Sequence, residues 1–159
     1  MTRDYARAPK GVRVYERVPR NRGTVTAIIG ALSIDGVEAV MTNEGATTAE
    51  VFSRFVREHL LPVLRPGDLV IMDNLGAHHA TGIRAAIEAS RAHVLYLPPY
   101  SPELNPIELC WSKIKQTLRS WSARSLTSLR DAIHDAAALV SASDAIGWFT
   151  HCGYANQPA

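Results

Sequence analysis

The sequence predicts an α/β domain in which a mixed β-sheet is flanked by helices, and three features carry that expectation. Two β-rich apolar runs, "TVTAIIGALS" (24–33) and "VEAVMT" (37–42), meet across Asp35-Gly36, a hairpin signal. Two shorter runs, "LVIM" (69–72) and "HVLYL" (93–97), bracket a helix-like stretch, as in a parallel strand–helix–strand unit with a right-handed crossover. Between and after these strands, apolar residues recur at helical spacing.

The elements follow in order. "GVRVYERVP" (11–19) reads as extended and ends at Pro19. "TTAE" (47–50) reads as a capping box, with Thr47 as N-cap and Glu50 at the third helical position. Val51, Phe52, Phe55, Val56, His59 and Leu60 then form one helical stripe until Pro62 and "RPGD" stop it. "LVIM", wholly apolar, is expected to be a strand buried on both faces. A weaker helix spans 79–90 through Ile83, Ala86 and Ile87. Two helices close the chain, at 125–140 and near 143–150.

A chain of 159 residues suits one domain with a real core. Its 47% hydrophobic and 20% charged content is that of a soluble globular protein. No apolar run reaches the length of a membrane span, and "MTRDYARAPKG" has no signal core, so a cytoplasmic chain with no membrane partner is expected. Cys110 and Cys152 are too few for a disulfide framework or a zinc site. Residues 1–23 carry seven of the 17 Lys and Arg residues against Asp4 and Glu16, a net +5 that leaves −3 on the rest. A basic extended arm (1–23) on a slightly acidic body (24–159) permits a polyanionic partner without requiring one.

The segment "LYLPPYSPELNPIELCW" places four prolines between Pro98 and Pro106. Pro98-Pro99 favour extended backbone, Asn105 suits an N-cap, Pro106 the first helical position and Glu108 the third. Ile107, Cys110, Trp111, Ile114, Leu118 and Trp121 then line one face of an amphipathic helix. A stiff spacer of this kind fixes the Glu108 carboxylate relative to the preceding strand. Its counterpart is Asp73, where "LVIM" emerges at its C-terminal end, the edge at which open α/β sheets build their sites. Taken alone, Glu108 reads as the acidic half of a capping box and Asp73-Asn74 as turn chemistry, and those structural readings stay open on the residues themselves. Two carboxylates brought together repel unless a cation sits between them, and Mg²⁺ prefers such oxygen ligands.

"DNLGAHH" followed by "LYLPPYSPELNPIELCWSKIKQTLR" resembles the catalytic core of mariner-like DDE transposases, specifically their bacterial insertion-sequence branch. "RAPKG" and "GDLVIMDN" extend the resemblance over nearly the whole chain, and the 34 residues between Asp73 and Glu108 match the spacing of that group. The resemblance implies a ribonuclease H-like fold and two-metal phosphoryl transfer, with Mg²⁺ or Mn²⁺, that cleaves and joins DNA at insertion-sequence ends. Asp73 and Glu108 then stand as catalytic and metal-binding residues. His78 matches a recurrent histidine with a supporting role, Asn74 shares its motif, and His79 is left as surface. Transposon-end and target DNA, a second copy or a full-length transposase are the implied partners, in a bacterial nucleoid-associated setting. Glu108, Ser112, Lys115 and Arg119 share a helix stripe, which makes Lys115 and Arg119 candidate phosphate contacts.

One departure from the family pattern matters. The family's first Asp lies on a central strand ahead of "RAPKG", where this sequence has only "MTRDYA", and both Asp4 and Asp35 read as structural. The expectation is therefore a catalytic domain without its first central strand, unable by itself to cleave or join DNA. The alternatives are a non-catalytic DNA- or transposase-binding protein acting as an inhibitor, and an unproductive pseudogene product.

Overall fold

The computed structural model describes Lys10, residues 25–121 and residues 126–154, without the side chains of 126–128. Asp4, the extended 11–19 segment and, Lys10 apart, the basic arm lie outside the described residues.

Strands β1 (Thr26–Ser33) and β2 (Gly36–Glu44) pair antiparallel, with a bulge between Ala31 and Leu32. The turn is Ile34-Asp35, one residue earlier than Asp35-Gly36, and the Ser33 hydroxyl accepts the Asp35 N–H at 3.0 Å. Gly36 opens β2 instead, at φ 127°, where a Cβ would come within 3.0 Å of the Val140 carbonyl. Alternation along the hairpin splits its side chains between two cores. Ile29 and Met41 join Phe52, Phe55, Val56, Leu60, Met72, Ile83 and Ile87. Ile28, Leu32 and Val40 face Cys110, Ile114, Leu118, Ile133 and Ala136. Complete burial of a residue such as Ile114 or Phe55 contributes roughly 1.5–3 kcal/mol.

Helix α1 (Ala49–Phe55) is capped by Thr48, whose hydroxyl accepts the Val51 N–H at 3.3 Å. Thr47 and Thr48 offer the same chemistry, and the extended backbone at Thr48 decides between them, which moves Glu50 to the second position. A π-turn (Val56–Leu60) and a 3₁₀ turn through Pro62 (Leu61–Val63) carry the helical path on.

Strands β3 (Leu69–Met72) and β4 (His93–Tyr96) form the expected parallel pair, Met72 opposite Tyr96. The connection is shorter in helix than expected. A 3₁₀ turn (Gly76–His79) precedes α2 (Ile83–Ala89), and Gly82, at φ 88°, separates them. Double-sided burial of "LVIM" does not hold: Leu69 is 55% exposed and only Met72 is buried. β4 is β3's one hydrogen-bonded neighbour among the described residues, and β3's other edge borders a cleft.

Helices α3 (Pro106–Trp121), α4 (Leu126–Ala138) and α5 (Ala142–His151) close the fold. Along α3 the stripe buries Cys110, Ile114 and Leu118, while Trp121 stays 44% exposed. A capping box of Ser141 and Asp144 starts α5, and Lys113 of α3 reaches Asp144 at 2.5 Å. The α/β class with flanking helices stands. Among the described residues the strands pair as two two-stranded sheets, β1-β2 and β3-β4.

Candidate functional site

The parallel register brings the C-terminal ends of β3 and β4 side by side, and the Leu97 N–H donates to the Met72 carbonyl at 2.8 Å. Asp73 follows β3 directly. Its Oδ1 accepts the Leu75 N–H at 3.1 Å, a local turn that fixes χ1. His78 Nδ1 lies 2.7 Å from the same oxygen and 3.1 Å from the Asp73 carbonyl. Both partners are acceptors, so Nδ1 carries the proton. The His78 ring in turn packs against Phe52 at 4.2 Å, which holds it in place from the core side.

Glu108 is held from the other strand. After β4 the chain runs through Pro98-Pro99, a left-handed Tyr100 and a 3₁₀ turn (Pro102–Leu104) into the start of α3 at Pro106. The Glu108 N–H donates to the Asn105 carbonyl at 3.1 Å, so the carboxylate sits in the first turn of α3, exposed. The left-handed backbone of Tyr100, at φ 58°, costs a residue with a Cβ about 1–2 kcal/mol. The loop therefore holds a strained, defined shape.

Two cavities meet at these carboxylates. The larger, of about 590 Å³, is the cleft between β1 and β3, walled by Ile28–Ser33, Leu69–Met72 and Trp111. The smaller, of about 360 Å³, lies under the proline loop, walled by Asn74, Pro98–Pro102 and Asn105. Asp73 and Glu108 line both. The two acidic residues that the sequence pairs thus share the walls of the same two cavities. Among the described residues no group of three or more His, Cys, Asp or Glu is arranged to hold a metal.

Asn74 contacts His79 through its Oδ1. His79 remains at the surface but stacks on Tyr96 at 4.2 Å, with the Arg84 guanidinium over that ring at 5.2 Å. The Tyr96 hydroxyl donates to the His78 carbonyl at 3.0 Å, so this stack braces the segment that carries His78. Sequence reasoning missed the stack because its members lie on three separate elements. Along α3, Glu108, Ser112, Lys115 and Arg119 are all exposed on one stripe. Burial pushes the Cys110 thiol up to about 12, which keeps it protonated.

A family model for the DDE superfamily endonuclease domain matches residues 1–130. The chain belongs to that family. Among solved structures, the chain is similar to the Mos1 chain in the crystal structure of the Mos1 strand transfer complex. The TM-score is 0.71 at 17% identity, over 96% of this chain and 46% of that one. It also matches a chain of the Mos1 mariner paired-end complex with Mn, at a TM-score of 0.47 and 16% identity, over 97% of this chain and 52% of that one. The chain thus spans about half the length of these solved relatives. A comparison with curated proteins gave no match. The fold is the ribonuclease H-like one. Among the described residues no helix is long and apolar enough to cross a membrane.

Proposed function

We propose that this chain is catalytic-domain sequence of a DNA transposase of the bacterial insertion-sequence type, contributing Asp73 and Glu108 to strand cleavage and joining at transposon ends and needing a further acidic ligand to perform them. The observation that carries this reading is that both carboxylates line both cavities at the C-terminal ends of a parallel strand pair. Membership in the endonuclease family supports it.

The donor set fits a hard divalent cation. Asp73 Oδ1 is taken by His78 and the Leu75 N–H, which leaves Oδ2 for a cation, and Glu108 supplies a second, exposed carboxylate. One or two carboxylates plus water and phosphate oxygens are the usual Mg²⁺ surroundings, and Mn²⁺ accepts the same oxygen donors. A second cation, as two-metal transfer requires, needs donors beyond this pair. Bound cations supply neutralisation of charge on the phosphate under attack and on the leaving oxygen.

The chain's own residues do the rest. His78 and the Leu75 N–H hold the Asp73 carboxylate in one orientation, and the helix start at Pro106 holds Glu108. Lys115 and Arg119 stand two and three turns along α3, roughly 10 and 16 Å from Glu108 by helical rise, and draw in the DNA backbone. Transposon-end and target DNA, and a second copy or a full-length transposase, are the partners this reading names.

Fluorescence anisotropy with a labelled duplex tests it. Mn²⁺ should tighten DNA binding by the wild type, and Asp73→Asn or Glu108→Gln should remove that gain. An equal response to Mn²⁺ in all three proteins would count against the reading. A second reading, DNA binding without catalysis, is favoured by the absence of a third clustered ligand among the described residues. Nicking of supercoiled DNA with Mn²⁺, abolished by Asp73→Asn, would exclude it.

A further inference from the structure

Tyr100 presents its side chain wholly to solvent, 101% exposed, from a backbone at φ 58° that residues with a Cβ avoid. Pro99 precedes it, Ser101-Pro102 follow, and the Ser101 hydroxyl donates to the Pro99 carbonyl at 3.4 Å. Strain kept at a residue that packs on nothing in its own chain points to a contact made with something else.

The position of the ring narrows what that contact is. Tyr100 borders the smaller cavity, whose other walls include Asp73, Glu108, Asn74 and Asn105. At about 360 Å³ that cavity is within the range of sites that hold one small organic group. An exposed aromatic ring at the rim of the cavity, the Asn74 and Asn105 side chains and a carboxylate pair suited to a cation beside a phosphate together describe a seat for a nucleotide. We propose that the cavity takes one unpaired nucleotide of a DNA strand, its base stacked on Tyr100 and its phosphate toward Asp73 and Glu108. This rests on the DNA reading above and adds to it the state of the substrate: unpaired at the site, and gripped through the base by a sequence-tolerant contact.

The test uses the full chain and a single-stranded oligonucleotide carrying 2-aminopurine, whose fluorescence falls on stacking. Tyr100→Ala keeps the Cβ, and with it the backbone penalty, so it removes the ring alone. It should weaken binding roughly 5- to 150-fold, as loss of one base–aromatic stack does. The quenching should be lost and the salt slope retained, because no charge is removed. Tyr100→Phe should restore both affinity and quenching. Equal binding and quenching by Tyr100→Ala would overturn the inference while leaving the DNA reading intact. A loss that merely follows a change in oligomeric state, read by sedimentation, would overturn it in favour of a protein contact. No oligonucleotide or duplex binding by the wild type would remove the DNA reading itself.

Discussion

His78 aims one ring nitrogen at Asp73 twice, with Nδ1 2.7 Å from the carboxylate Oδ1 and 3.1 Å from the backbone carbonyl. The histidine thus locks both the side chain and the strand end that carries it, and Phe52 behind the ring prevents it from swinging away. This arrangement makes His78 the orienting partner of the Asp73 carboxylate, the group proposed above to hold a cation.

Removing an orienting partner of a metal-binding group weakens the site without deleting a ligand. His78→Ala should lower Mn²⁺ affinity about 10- to 100-fold, as measured by electron paramagnetic resonance. An unchanged affinity would show that Asp73 is held well enough by the Leu75 N–H alone.

Lys115 lies exposed on the Glu108 stripe of α3. Lys115→Ala should weaken binding to all duplex sequences alike and lower the slope of log K against log salt by about one. A slope equal to that of the wild type removes Lys115 from the DNA-facing surface.

Gly30 marks a close approach of β1 and α3. A Cβ there would meet Trp111 Cη2 at 2.8 Å and the Ala39 carbonyl at 2.9 Å. The carbonyl belongs to the paired strand and cannot give way cheaply. Gly30→Ala should therefore destabilise the protein by about 1–3 kcal/mol, read as a lower urea midpoint at unchanged m value. Full stability in this variant would mean that the Trp111 ring and β2 both relax.

Acid should loosen α5 from α3. The Lys113 ammonium and the Ser141 hydroxyl and N–H hold the Asp144 carboxyl down at about 2, against an ordinary 3.8. A depressed folded-state value means stabilisation that is present above about pH 4 and lost as pH falls toward 2. Asp144→Asn should thus be less stable than wild type at neutral pH, with the difference vanishing near pH 2. Ser141→Ala, which removes the N-cap, should cost about 1 kcal/mol at neutral pH. Parallel stability curves for Asp144→Asn and wild type down to pH 2 would show that the ion pair adds nothing.

The parts of this fold that depend on local pattern were legible in the sequence. The β1-β2 hairpin, the β3–β4 crossover and the sharp start of α3 follow from alternation, apolar runs and proline placement, which act over a few residues. That Asp73 and Glu108 border common cavities was legible as well, because both sit at ends of elements whose order the sequence declares. Finer outcomes depended on contacts across the fold. Thr48 rather than Thr47 caps α1 because of backbone torsion, and Leu69 is exposed because the strand edge beside it faces a cleft. The His79–Tyr96–Arg84 stack joins residues from three elements, and no spacing rule announces it.

The central claim is that Asp73 and Glu108 act as one cation site, and Mn²⁺ titration of four proteins tests it most directly. Wild type, Asp73→Asn, Glu108→Gln and the double variant would be compared, each checked for native secondary structure by circular dichroism. Each single variant should lose most of the Mn²⁺ affinity, and the double variant should lose little more than either, because the two carboxylates share one ion. Single variants that bind Mn²⁺ as the wild type does, or losses that simply add in the double variant, would contradict a shared site.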